Sequence, residues 1–127
     1  YYFYDGDEYE ASTEKYDVSW AWAAGSAYST PRVLQNYLEH LVKGGLISDT
    51  LQHKRLNEMI YVNERLEYGL AIYKTGLFYG HNGALPGFAT SMYHSIEKDC
   101  TIIVYFNGLL DIHPDYRFKR FTEILFD

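Results

Sequence analysis

The sequence predicts an α+β fold, an antiparallel β-sheet packed with helices, and three observations carry that prediction. A capped amphipathic stretch follows Ser29-Thr30-Pro31, extended stretches joined by short polar connections fill residues 68–107, and a second apolar helical pattern follows His113-Pro114-Asp115. Helices segregated from a meander of strands bury their apolar faces best as layers.

In chain order, residues 1–17 hold Asp5, Asp7, Glu8, Glu10, Glu14 and Asp17 against Lys15, with no sustained hydrophobic period. They read as an acidic lead-in segment on the surface. Residues 19–26 (SWAWAAGS) are small and aromatic and read as a buried extended segment or turn. Residues 29–60 read as a helix pair. Ser29-Thr30 offers a capping hydroxyl, Pro31 suits the first helical position, and Leu34, Tyr37, Leu38, Leu41 and Val42 recur at helical spacing until Gly44-Gly45. Ser48-Asp49 caps the second helix, with Leu51, Leu56, Met59 and Ile60 available to bury.

After Asn63 the period becomes extended. Residues 68–73 and 77–81 read as strands joined by Lys74-Thr75-Gly76, residues 89–96 as a third strand, and Glu97-Lys98-Asp99 as a charged turn. Residues 101–106 (TIIVYF) form a fourth strand whose unbroken apolar run predicts cover on both faces. Residues 113–126 read as a C-terminal helix carrying Phe118, Phe121, Ile124 and Leu125.

Composition narrows the function. With 47% hydrophobic and 22% charged residues among 127, the chain has enough apolar side chains for a core, which excludes disorder. The formal charge of -6 comes mostly from residues 1–17, and no basic surface is present to neutralise phosphates, so nucleic acid is not expected as a partner. No apolar run approaches the ~18 residues of a membrane span. Cys100 is single and reads as a small buried residue at a strand start. His40, His53, His81, His94 and His113 lack metal-ligand spacing, so neither a metal nor another cofactor is expected. The first residue is Tyr1 rather than Met, which places the expected native start further upstream.

The stretch richest in chemical possibility is residues 79–88, Tyr79-Gly80-His81-Asn82-Gly83-Ala84-Leu85-Pro86-Gly87-Phe88. Glycines let another molecule approach the backbone, and a histidine and an amide stand beside that approach. In a regular strand His81 and Asn82 point to opposite faces. As plain hairpin punctuation the same residues would only face water.

Three pieces together resemble the C-terminal part of the serine β-lactamase and penicillin-binding protein superfamily, in the branch of class C β-lactamases, D-alanyl-D-alanine carboxypeptidases, D-aminopeptidases and esterases. They are residues 23–32 (AAGSAYSTPR), then His81-Asn82-Gly83 followed by Gly87-Phe88, then the apolar strand ending at Asn107. The middle piece is similar to the His-x-Gly variant of that family's Lys-Thr-Gly motif. The resemblance covers roughly residues 20–125 and implies that residues 1–127 are a C-terminal fragment of a β-lactamase-like domain. It implies His81 as the catalytic group of this chain, able to supply a proton or hydrogen bond near a nucleophile. It also implies Asn82, Gly83 and Ala84 as substrate-binding residues, with the Ala84 N–H one of two oxyanion donors. Histidine there departs from the lysine that many members of the family carry.

Three further pattern matches lack the context that the chemistry needs. Ser12-Thr13-Glu14-Lys15 sits in the acidic segment, Tyr61-Val62-Asn63 follows the helix pair, and Lys74-Thr75-Gly76 falls in a turn. The nucleophile is therefore expected outside this chain, which alone should be inactive. The implied partners are a peptidoglycan-like peptide, a β-lactam or an ester, together with the missing N-terminal part of the domain. The implied location is extracytoplasmic. Two other readings stay open, a non-catalytic peptidoglycan sensor or interaction domain of the same fold and an aromatic-rich carbohydrate-binding module.

Overall fold

The computed structural model describes residues 2–5, 8–11, 16–107 and 113–126. The pattern Ser12-Thr13-Glu14-Lys15 lies outside the described residues. Six antiparallel strands between residues 60 and 106 lie side by side in chain order, so the predicted α+β meander is present. Two compact units share its strands, one built from Thr30–His81 with Met92–Ile103 and the other from Tyr1–Ser29, Asn82–Ser91 and Val104–Asp127.

In the first unit helix α2, Pro31–Lys43, begins as its sequence requires. The Thr30 hydroxyl accepts from the Val33 N–H, Pro31 opens the helix, and Gly44 ends it at a φ of 110°. Leu38, Leu41 and Val42 form a buried core with Ile72, against which Leu56, Met59, Tyr79, Met92 and Ile103 pack. Each such aliphatic side chain contributes about 1.5–3 kcal/mol by leaving water.

Helix α3 spans Asp49–Asn57, with Ser48 as its N-cap. It stops short of residue 60, and Ile60 opens strand β3, Ile60–Asn63, with 67% of its surface exposed instead of buried. Leu51 is exposed as well. The buried residue of α3 is polar. Gln52 donates from Nε2 to the Leu41 and Val42 carbonyls, at 2.9 and 3.0 Å, and so satisfies the last turn of α2.

Strand β4, Leu66–Tyr68, and strand β5, Tyr73–Thr75, replace the single strand expected over residues 68–73. They form a hairpin in which Tyr68 faces Tyr73 and the Gly69 N–H donates to the Ile72 carbonyl at 2.8 Å. At this reversal Gly69 lies against the Arg55 carbonyl, where a Cβ would overlap it, and Ala71 takes a left-handed φ of 53°. Lys74 and Thr75 belong to β5, and the turn lies at Gly76 and Leu77.

Strand β6, Phe78–Leu85, strand β7, Phe88–Ser95, and strand β8, Cys100–Phe106, continue the sheet. The Ile102 and Val104 side chains of β8 are buried, while Tyr105 is 59% exposed, so cover on both faces is not complete. Cys100 is half-buried at the strand start.

In the other unit strands β1, Tyr2–Asp5, and β2, Glu8–Ala11, form an antiparallel pair within the acidic lead-in. Residues 19–25 are helical rather than an extended segment or a simple turn. Asp17 accepts from the Ser19 N–H at 2.9 Å and caps a 3-10 turn, Val18–Ala21, which continues into the short helix α1, Trp22–Gly25. Trp20 and Trp22 are 67% and 84% exposed, so these aromatics are not packed as their alanine-rich surroundings suggest. Helix α4, Pro114–Phe126, has Pro114 as its first residue and buries Phe118, whereas Phe121, Ile124 and Leu125 are exposed.

Candidate functional site

Strand β6 runs four residues beyond the expected end at His81, through Leu85. The turn into β7 is confined to Pro86 and Gly87, the latter at a φ of 82°. Proline sets the first turn position and glycine supplies the positive φ of the second, the chemistry of a type II turn. Residues 79–88 are thus mostly strand, with a turn of two residues.

Strand β5 pairs with β6 only from Thr75↔Phe78 to Tyr73↔Gly80. Gly80 is the last residue of β6 in that pairing. Gly83 and Ala84 are exposed, and a Cβ built on Gly83 would meet nothing within 4 Å. Its φ lies outside the left-handed region. Neither packing nor backbone conformation therefore requires glycine at position 83.

His81 is half-buried beside two tyrosines that are cross-strand neighbours on β4 and β5. Its ring lies 4.5 Å from that of Tyr73 and 5.8 Å, edge-on, from that of Tyr68. The Tyr68 hydroxyl stands 3.4 Å from His81 Nε2. A strictly alternating strand would place the His81 side chain on the face away from Tyr73, which is paired with Gly80. Gly80 itself presses against β7, so closely that a Cβ there would overlap the Met92 carbonyl oxygen. Tyr68 and Tyr73 were not legible as neighbours of His81, because the β4–β5 hairpin that presents them was hidden in a stretch read as one strand.

Asn82 is engaged differently. Its Nδ2 donates to Asp115 Oδ2 at 2.5 Å, and Asp115 Oδ1 accepts from the Ser91 hydroxyl at 2.6 Å. Ser91 lies on β7 and is fully buried. Asp115 stands in the first turn of α4, where a carboxylate also suits the helix dipole. His113 Nδ1, which accepts the Asp115 N–H at 3.3 Å, lies 3.4 Å from Oδ2. The sequence marks Asp115 only as part of a helix start.

Tyr61, Asn63, Lys74 and Gly76, from two of the pattern matches set aside, line one shallow concavity of about 290 Å³. Lys74 there pairs with Glu67 at 2.9 Å, which raises its pKa, and Asn63 Oδ1 accepts the Arg65 N–H at 3.0 Å. His94 is 1% exposed, with Nδ1 2.8 Å from the Thr101 hydroxyl and Nε2 unpartnered among the described residues. Burial foremost, and then nearby Lys43, lower its pKa. Among the described residues no cluster of His, Cys, Asp and Glu gathers that could hold a metal. No helix there is long and apolar enough to cross a membrane.

No protein-family model matches the sequence, and no curated protein matches it. Solved structures do match in fold. A D-amino acid amidase from Ochrobactrum anthropi SV3, in complex with D-phenylalanine, is similar with a TM-score of 0.75 and 19% identity, over 98% of this chain and 43% of its own. A D-stereospecific amidohydrolase from a Streptomyces species is similar with a TM-score of 0.62 and 20% identity, over 76% of this chain and 30% of its own. Both belong to the penicillin-binding protein/β-lactamase superfamily, and at these identities the likeness is one of fold. The chain spans less than half the length of either structure.

Proposed function

We propose that this chain is the C-terminal portion of a serine amidohydrolase of the penicillin-binding protein/β-lactamase fold. In full length it would act on D-amino-acid amides or on related D-peptides, β-lactams or esters. The observation that carries the reading is Gly83, a glycine that its own fold does not need, on an exposed stretch of the strand with the His-x-Gly pattern. A residue free of packing duties suits a substrate that lies along the backbone and pairs with it.

In the proposed reaction a serine outside this chain attacks the acyl carbon. The oxyanion of the tetrahedral intermediate is held in part by the Ala84 N–H, a kind of contact whose loss costs about 2.7–4 kcal/mol in acyl transfer. His81 supplies a proton or hydrogen bond as the amine leaves, and water then hydrolyses the acyl-enzyme. Expressed with its natural upstream sequence, the protein should release ammonia from D-phenylalaninamide and be labelled by a fluorescent penicillin, and His81→Ala should abolish turnover. Turnover by residues 1–127 alone would refute an external nucleophile.

A non-catalytic sensor of the same fold would instead bind these ligands without turnover, in the wild type and in His81→Ala alike. The exposed Trp20 and Trp22 favour one further reading, a glycan-binding face, which predicts quenching of tryptophan emission when oligosaccharides are added.

A further inference from the structure

We propose that Asp115 makes the Asn82 position selective for ligands that carry a protonated amine and against ligands that carry a free carboxylate. The inference rests on the functional reading above, and it narrows the ligands of that position to those that carry a cationic amine.

The argument starts from how firmly the carboxylate is held. Its Oδ2 takes the Asn82 amide at 2.5 Å and its Oδ1 takes the Ser91 hydroxyl at 2.6 Å. Ser91 has no exposed surface, so rotating the carboxylate away would leave a buried hydroxyl without its acceptor. Both donors are neutral and leave the charge in place. His113 Nδ1 accepts the Asp115 backbone N–H and lies 3.4 Å from Oδ2. The dipole of α4 offsets part of the charge, since Asp115 stands in its first turn.

The Asp115 side chain is 36% exposed, so its field reaches the solvent beside Asn82. A ligand group touching the Asn82 amide would lie within roughly 5–6 Å of that carboxylate, where opposite charges attract and like charges repel appreciably. Asparagine alone can donate or accept and would discriminate little. The carboxylate behind it supplies the sign.

Asp115→Asn isolates the charge. An amide there can still accept from Asn82 through Oδ1 and donate to the Ser91 hydroxyl through Nδ2, so the hydrogen-bonded geometry survives while the charge is lost. In the full-length protein the dissociation constants of D-phenylalaninol, a cation, and N-acetyl-D-phenylalanine, an anion, are measured by calorimetry. The wild type should favour the cation, and Asp115→Asn should shift the ratio toward the anion by about tenfold, which corresponds to 1.4 kcal/mol. Ser91→Ala loosens the brace without removing the charge and should leave the ratio within about twofold. Raising salt from about 0.05 to 1 M should shrink the wild-type ratio by screening, a readout that does not depend on how well any variant folds.

An unchanged ratio in a folded Asp115→Asn protein, a Ser91→Ala shift as large as that of Asp115→Asn, or a salt-independent ratio would each overturn the proposal while leaving the enzyme reading intact. Binding of neither ligand would remove the enzyme reading and this inference together.

Discussion

Gly80 and Gly83 stand three residues apart on β6 and live under opposite constraints. A Cβ on Gly80 would overlap the Met92 carbonyl oxygen and lie 2.7 Å from Tyr93 Cα, whereas one on Gly83 would meet nothing within 4 Å. Gly80 is buried and Gly83 is exposed. The first glycine exists so that β6 and β7 can close together, and the second leaves backbone open to something that is not part of the fold. One residue type thus serves packing at one end of a strand and access at the other.

The largest effect that would sharpen this contrast lies under the packed end. Leu38→Ala should lower stability by about 2–5 kcal/mol, read from the midpoint of urea unfolding, because Leu38 is fully buried among Leu41, Val42 and Ile72. Gly80→Ala should cost about 1–3 kcal/mol by the same measurement, because the atom it meets is backbone and has no rotamer to yield.

Acid should weaken the packed end next. Burial depresses the His94 pKa in the folded state, so its stabilising contribution is complete above the unfolded value near ~6.5 and is lost as pH falls below that toward the folded value. Urea midpoints at pH 7.5 and 5.0 should therefore differ, and His94→Gln should reduce the difference. Asp99, held low by its 2.9 Å pairing with Lys43, changes only in a more acidic window. The smallest effect belongs to the open end. Gly83→Ala should stay within about 0.5 kcal/mol of wild type in stability and yet impair ligand binding in the full-length protein. A large loss of stability there would erase the distinction between the two glycines.

What the sequence revealed follows the range of the interactions involved. The start of α2 was legible because Thr30 caps its own next turn and Pro31 fits only the first position. The turn at Pro86 and Gly87 is equally local, although it is shorter than the glycine-rich run around it suggests. The β4–β5 hairpin was hidden because one constraint on it is remote, Gly69 seated on the carbonyl of Arg55 in α3. Ile60 was misread because apolar character extends the helical pattern past Asn57, whereas the chain has already left the helix. In the candidate site the His-x-Gly pattern was visible, but its environment was not. Asp115 lies 33 residues from Asn82 and 24 from Ser91, and nothing in an acidic residue at a helix start announces such partners. The exposure of Trp20 and Trp22 was likewise missed, since alanine neighbours describe composition and not cover.

The bond pair from Gln52 to the last turn of α2 has one more implication. A single amide on α3 answers for two carbonyls of a different helix, so fraying of α3 should be felt first at residues 41 and 42, and hydrogen-exchange protection in the last turn of α2 should track the integrity of its neighbour more closely than its own sequence.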